Sequence, residues 1–460
     1  MESINLNTKI LDTYKMKLFN ELIKAIWSEE FDDIDNIPKK VLDKSVYNEF
    51  GEEVILNLMR IVMGLDPIDK IDETIKEMLN KAMCTKEIST PIISVISQVC
   101  NHCVNKEDGK ECLVKEKHIN CNKDNTCNSC GGCIRECSLG AISDKIQFIP
   151  ILKLLKDKKH PVYATVAPSF VGQLGNDVTP GKLRSALKKV GFKDMIEVAL
   201  AADILTVKES YDYCNHIKEN KEECFITSCC CPIWISLIKS SYPEIVDNIS
   251  KSVSPMIACA RIIKVLNEDA KVVFIGPCVA KKKEAIAEDI KGAVDFVLTF
   301  KELEEIFKAL DIEADKEVEE NRIESSALGR IYAHAGGVSK SIEECVKKIN
   351  PKANFKAITF QGAKDCKAGL EKVINKDIDV TFVEGMGCIG GCVGGPKRIL
   401  ETEKGKSFVQ EYSKETNIKT PFENINVIQF LAKMDMKKIE TLRSEDREKL
   451  LGLFNRDIRL

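Results

Sequence analysis

The chain has 460 residues, 44% of them hydrophobic and 30% charged, with a formal net charge of −3. That length requires two or three domains, and so even a charge balance favours neither nucleic acid nor an anionic membrane as a partner. Twenty cysteines, with no secretory leader and no apolar run of bilayer length, predict a cytoplasmic protein whose thiols bind metal or do redox chemistry.

Residues 1–95 hold a single cysteine, Cys84, and read as a helical domain. In TYKMKLFNELIKAIW, Met16, Phe19, Leu22, Ile23, Ile26 and Trp27 fall near one helical face. EEVILNLMRIVMGL and IDETIKEMLNKAM continue the helical pattern. Residues 96–150 are different: eight cysteines lie between Cys100 and Cys137 among Lys, Asn and Gly. Such a segment cannot build a core, so bound metal must supply its folding energy. Cys127, Cys130, Cys133 and Cys137 have the C-x2-C-x2-C-x3-C spacing of the bacterial ferredoxin run, with Ser138 where a proline usually follows. A looser set, Cys100, Cys103, Cys112 and Cys121, precedes it. By pseudo-symmetry Cys121 joins Cys127, Cys130 and Cys133 on one [4Fe–4S] cluster, and Cys137 joins Cys100, Cys103 and Cys112 on the other. A zinc site is the alternative for the looser set.

Residues 151–460 form the third unit. From Pro161 onward β-like runs (VYATVA, CFITS, VVFIG, FVLTF, RIYAHA, FKAITF, VTFVE) alternate with amphipathic stretches such as PGKLRSALKKVG, SYDYCNHIKEN and PMIACARIIKVL. The alternation predicts a mostly parallel α/β sheet with helices on its faces. Four runs lead straight into small-residue or thiol loops: VYATVAPS, CFITSCCCPIW, VVFIGPCVAKK and VTFVEGMGCIGGC. Ligands of open α/β sheets sit outside the carboxyl ends of strands, so a metal–sulfur centre is expected there. Lys281 and Lys282 supply cations beside Cys278, and the glycines around Cys388 and Cys392 let backbone approach a bulky group. Glu209 and Asp212, three apart, share a helix face. The last stretch, ETLRSEDREKLLGLFNRDIRL, reads as a charged helical tail packed on the surface.

The loops TSCCCPIW, GPCVAKK and MGCIGGCVGG, supported by APS at 167–169, SKSVSP at 250–255 and AGGV at 335–338, resemble the fingerprints of [FeFe]-hydrogenases over roughly residues 96–400. The layout is similar to a compact branch with one two-cluster ferredoxin domain. The resemblance implies a catalytic domain with two lobes of mostly parallel sheet flanked by helices, and reversible H2 oxidation and proton reduction. It implies that Cys231, Cys278, Cys388 and Cys392 hold the [4Fe–4S] part of an H-cluster, with Cys392 bridging to a di-iron unit carrying CO, cyanide and a dithiolate. Lys281, Ser169 and the backbone near Pro277 would hydrogen-bond the cyanides. Ala167, Pro168, Met386, Gly390 and Gly391 would line the cofactor. Cys230 would carry protons, continued by Glu209, Asp212, Ser250 and His216. Anchoring the triple cysteine on Thr227 instead of Pro232 and Trp234 moves each thiol role back one residue; the Pro-x-Trp anchor leaves Cys229 as the extra thiol.

Two positions depart from the family pattern: Gly276 stands where Met often precedes the proline, and Met256 where Gln often follows Ser-Pro. Implied partners are a ferredoxin-like electron carrier and maturation proteins, with a homodimer as a candidate assembly. Two other functions share the resemblance: an H2 or redox sensor, and a Narf-like iron–sulfur assembly protein.

Overall fold

A computed structural model describes residues 10–85, 87–102, 114, 127–219, 223–227, 230–433 and 452–458, with backbone alone at 100–102 and 431–433. Nine strands are named among these residues: β1 (Ile93–Val95), β2 (Ile142–Asp144), β3 (Val162–Val166), β4 (Asp194–Glu197), β5 (Phe225–Ile226), β6 (Lys271–Gly276), β7 (Phe296–Thr299), β8 (Ala357–Gln361) and β9 (Phe382–Met386). They form a two-stranded antiparallel ribbon β1–β2, a four-stranded sheet in the order β4-β3-β6-β7 and a three-stranded sheet in the order β5-β9-β8. Every pairing in the two larger sheets is parallel. The strands β6 from Val272 onward and β9 apart from Glu384 are apolar and buried, as expected for strands of parallel sheets covered on both faces.

Two apolar cores follow from the two sheets. The first joins helix Ile10–Ser28 and helix Phe148–Asp157 to β3, β6 and β7, with the Phe19 and Phe148 rings edge to face at 5.8 Å. The N-terminal helices therefore share a core with the four-stranded sheet, and helix Phe148–Asp157 runs across residue 150. The second core gathers β5 and β9 around Trp234, Phe225 and Phe382.

The structure corrects three readings of the sequence. RIYAHA is no strand: Ile331–Ala333 is a 3-10 turn following helix Ala327–Arg330, which Ser326 caps through the Gly329 amide at 3.2 Å. A short apolar run fits a buried turn as well as a strand. Strand β4 was missed because DMIE is short and carries two acids; Glu197 is buried and takes hydrogen bonds from Ser325 (3.0 Å) and Tyr412 (2.7 Å). Helix Val198–Glu219 then starts directly from β4, its first half apolar nearly all round and buried. The described end of the tail, residues 452–458, is helical over 452–454 as expected, but it does not simply lie on the surface. It lies along Lys251–Val253, with Val253 N donating to Phe454 O and Arg456 N to Lys251 O, both at 2.8 Å, and Phe454 fully buried. Residues 440–451 and 459–460 of that stretch lie outside the described residues.

Lys282 also differs from expectation. It turns away from the thiols into a buried network, donating to Asp144 (2.8 Å), Glu302 (2.7 Å) and Lys145 O (2.7 Å), while Lys397 pairs with Asp144 at 2.6 Å. This network ties the loop after β6 to β2 and to helix Phe300–Ala309. Removing one partner leaves buried carboxylates uncompensated, so Lys282→Met is expected to destabilise the fold by about 3–5 kcal/mol, read as a lower urea midpoint.

Candidate active site

The carboxyl ends of two adjacent strands from each larger sheet carry the loops singled out above. β3 ends in Ala167-Pro168-Ser169 and β6 in Pro277-Cys278; β5 ends in the segment leading to Cys230-Cys231 and β9 in Gly387-Cys388. Backbone bonds lock these ends together. Ala167 N donates to Ile275 O at 2.9 Å, Lys397 N to Pro277 O at 3.0 Å, and Gly387 N to the Cys231 sulfur at 3.2 Å. Gly385 is required by close approach, since a Cβ there would meet the Trp234 ring at 2.0 Å. Gly391 has φ +84°, and a Cβ would stand 2.5 Å from Ala335 N. The neighbours of Gly390 and Gly391 are thus protein: Gly390 N donates to Gln361 (2.8 Å) and its carbonyl accepts from Ala335 N (3.1 Å).

The four thiols expected to bind one cluster feel one another. Burial pushes Cys278 up to about 12, with Cys231 and Cys392 adding to the shift and Lys281 opposing it. Burial and Cys231 likewise push Cys392 up to about 12. Cys388 is raised well above its ordinary value by burial and then by Cys278, Cys231, Cys392 and Cys130. Such a dry thiol group strongly favours a cationic metal centre that replaces the protons. No group of three His, Cys, Asp or Glu among the described residues is tight enough for a single ion. A cubane does not need that, because each thiolate binds a different iron.

Beside these thiols lies a cavity of about 40 Å3, mostly apolar, lined by Ala167, Pro168, Val198, Cys230, Pro255, Met256, Phe274, Lys281, Tyr332 and Cys392. The Cys230 thiol donates to Met386 Sδ at 3.7 Å. Lys281 donates to Glu284 at 2.6 Å. Burial alone would lower the Lys281 pKa, but Glu284 and the neighbouring thiols hold it above its ordinary value. Ser169, next to Pro168, is buried with a hydroxyl that has no partner among the described residues. An orphan hydroxyl, a lysine at the wall and thiols behind it fit a bound group with anionic acceptor atoms.

Residues 160–396 match the model of the iron-only hydrogenase large subunit, C-terminal domain. The chain belongs to this family. Among curated relatives it is 24% identical over 326 residues to the NADP-reducing hydrogenase subunit HndD of Solidesulfovibrio fructosivorans (59% of this chain, 56% of that one). It is 27% identical over 307 residues to iron hydrogenase 1 of Clostridium pasteurianum (56% and 53%), and 28% identical over 294 residues to the periplasmic [Fe] hydrogenase large subunit of Nitratidesulfovibrio vulgaris (53% and 70%). The chain thus spans about half the length of the first two relatives. Its fold is similar to that of a variant of the [FeFe]-hydrogenase HydA1 from Chlamydomonas reinhardtii, with a TM-score of 0.54 and 20% identity over 66% of this chain and 97% of that one. A structure described under oxygen inactivation of the [FeFe]-hydrogenase H cluster gives a TM-score of 0.56 at 20% identity with the same coverage. No helix among the described residues of this hydrogenase-family chain is long and apolar enough to cross a membrane.

Both departures from the family pattern fall at the cavity. Met256 is in its wall. A Cβ on Gly276 would meet the Phe274 ring at 2.8 Å, so Phe274, itself a wall residue, occupies the room a larger residue would need. Phe274, Val198 and Tyr332 were missed by sequence reasoning. Tyr332 was hidden by the strand reading of RIYAHA; its hydroxyl lies 2.8 Å from Thr206.

The acidic helix face divides. Glu209 is fully buried and accepts from Thr227 at 2.8 Å; burial raises its pKa, against the Ser250 and Thr227 hydroxyls. Asp212 reaches outward and is reached from Ser250 through Ser252 and Lys208, which sequence reasoning did not name: Ser250 Oγ donates to Ser252 Oγ (3.0 Å), and Lys208 Nζ bridges Ser252 Oγ (2.9 Å) and Asp212 (2.6 Å). His216 instead meets Glu223 O at 3.3 Å and the edge of Phe225, apart from this chain. Glu384 was also missed. This buried acid in β9 accepts from Gly336 N (2.9 Å) and from the Ser339 amide and hydroxyl (2.7 Å each), fixing the AGGV turn. Its signal is a carboxylate inside an otherwise apolar strand.

The ferredoxin-run loop packs against the loop after β6. Lys283 Nζ donates to Cys127 O, and a Cβ on Gly131 would meet Pro396 at 2.9 Å. Cys133 is pushed up to about 12 by burial, then by Cys130 and Cys127. Cys137 is buried at the end of helix Gly132–Glu136. Cys103, Cys112, Cys121, Cys229 and the Cys100 side chain lie outside the described residues.

Proposed function

We propose that the chain is an [FeFe]-hydrogenase catalysing reversible H2 oxidation and proton reduction. The supporting observation is the dry cavity, where Cys230, Lys281 and Cys392 from three sequence-distant thiol loops meet. In this reading Cys231, Cys278, Cys388 and Cys392 hold the [4Fe–4S] part of the H-cluster, and Lys281, Ser169 and the Pro277 backbone face its cyanides. The chemistry such a group supplies when bound is the formation and heterolytic splitting of H2.

The protein moves the proton. Cys230 passes it between the cavity and Glu209, whose hydrogen-bonded neighbour Thr227 lies three residues before it. A carboxyl whose pKa is raised by burial holds a proton at higher pH than an exposed one, so Glu209 can both take and give it. Ser250, Ser252, Lys208 and Asp212 continue outward. Electrons enter through a ferredoxin-like segment, with Cys121, Cys127, Cys130 and Cys133 on one [4Fe–4S] cluster and Cys100, Cys103, Cys112 and Cys137 on the other. The electrostatic reach of Cys130 to Cys388 supports this order. A ferredoxin-like carrier, maturation proteins and a cytoplasmic setting belong to the same reading. Cys230 in the cavity wall favours turnover over a sensor or an assembly protein.

The test is isotope exchange by the matured, anaerobic protein. HD release from D2 in H2O supports the reading, and its absence in protein whose cofactor is verified contradicts it. Glu209→Gln should slow exchange by about 10-fold or more, since one relay proton is lost while the cofactor stays.

A further inference from the structure

Lys281 is the first member of a buried chain of alternating charge that ends in the C-terminal segment. Lys281 Nζ lies 2.6 Å from Glu284 Oε2, and Glu284 Oε1 lies 3.9 Å from the Arg456 guanidinium. Arg456 is clamped on Asp289 by two hydrogen bonds, Nε to Oδ2 at 2.8 Å and a terminal nitrogen to Oδ1 at 3.0 Å. All four side chains are at most 10% exposed. The segment that delivers Arg456 is itself fixed: Arg261 donates to the carbonyls of Leu453 (2.9 Å) and Asn455 (3.0 Å), and Asn455 forms an antiparallel bridge with Ser252.

We propose that Arg456 is a positioning residue for Lys281, acting through Glu284. A buried carboxylate with one cationic neighbour holds that cation tightly. With Arg456 sharing its charge, Glu284 draws on Lys281 less, and the ammonium keeps N–H donors for an acceptor in the cavity. The bidentate contact with Asp289 sets how far the guanidinium reaches. The C-terminal segment thereby tunes the cavity lysine from about 175 residues along the chain. This inference rests on the proposed role of Lys281 towards cyanide.

Two readouts separate it from that role. In unloaded protein, the melting temperatures of wild type, R456M, K281M and the double variant form a cycle. Strong non-additivity is expected, because R456M alters a charge that acts on Lys281; additive shifts overturn the proposal whether or not cofactor can be inserted. In matured protein, R456M should shift the cyanide infrared bands while R456K, which keeps the charge, moves them back towards wild type. Unchanged cyanide bands in R456M overturn the proposal while leaving the proposed function standing, whereas a wild type without such bands counts against the function alone. Should R456M not fold, R456Q replaces it in both experiments.

Discussion

Cys230→Ala is expected to lower H2 turnover by about 10²–10⁴-fold, the usual contribution of a positioned acid–base group. Four residues of the cavity wall carry an exchangeable side-chain proton: Cys230, Lys281, Tyr332 and Cys392. Lys281 is held by Glu284, the Tyr332 hydroxyl lies against Thr206, and Cys392 is a proposed cluster ligand. Cys230 stands in the wall with its thiol donating to a thioether, Met386 Sδ, which is a weak acceptor. The substitution removes one buried sulfur, so the melting temperature should change little and the cofactor bands should remain. Full turnover by Cys230→Ala would mean that the proton reaches the cavity by another route.

Cys278→Ala should remove one whole cluster. Its thiol is close enough to Cys231, Cys388 and Cys392 to feel them, and it packs against the second core. Iron and sulfide should fall by one cluster, with loss of every carbonyl and cyanide band, while the ferredoxin-like segment keeps its iron. Cys366→Ala is the contrast. Cys366 is also buried and close enough to Cys231 to feel it, but its thiol donates to Met386 O at 3.4 Å and so serves the backbone. Unchanged iron is expected there, and a loss equal to that of Cys278→Ala would reassign the ligand set.

The thiol loops were legible because the chemistry of each is local. A strand, a Gly-Pro or Ser-Cys turn and a cysteine stand within a dozen residues, and parallel sheets put such ends together. The parallel pairing also follows from apolar runs with amphipathic helical connections, whereas the division into two sheets was implied only by the resemblance and β4 was missed. What stayed hidden depends on partners far apart in sequence. Lys281 and Lys282 are adjacent and chemically alike, yet one faces the cavity and the other the buried acids Asp144 and Glu302. Nothing local tells them apart. Lys208, Ser252 and Thr227 become links only once helix Val198–Glu219 lies against the segment around Ser250. Arg456 looked like one charge of a polar tail until the fold brought Asp289 and Glu284 to it. RIYAHA failed for a different reason, since six residues are too few for periodicity to separate a turn from a strand.

An anaerobic infrared spectrum of the matured protein, first under argon and then under H2, tests the central claim most directly. Carbonyl and cyanide bands that shift under H2 are predicted, because the cavity is read as the place where hydrogen meets the cofactor. A spectrum without such bands, in protein whose maturation is verified by a parallel hydrogenase, would contradict the account.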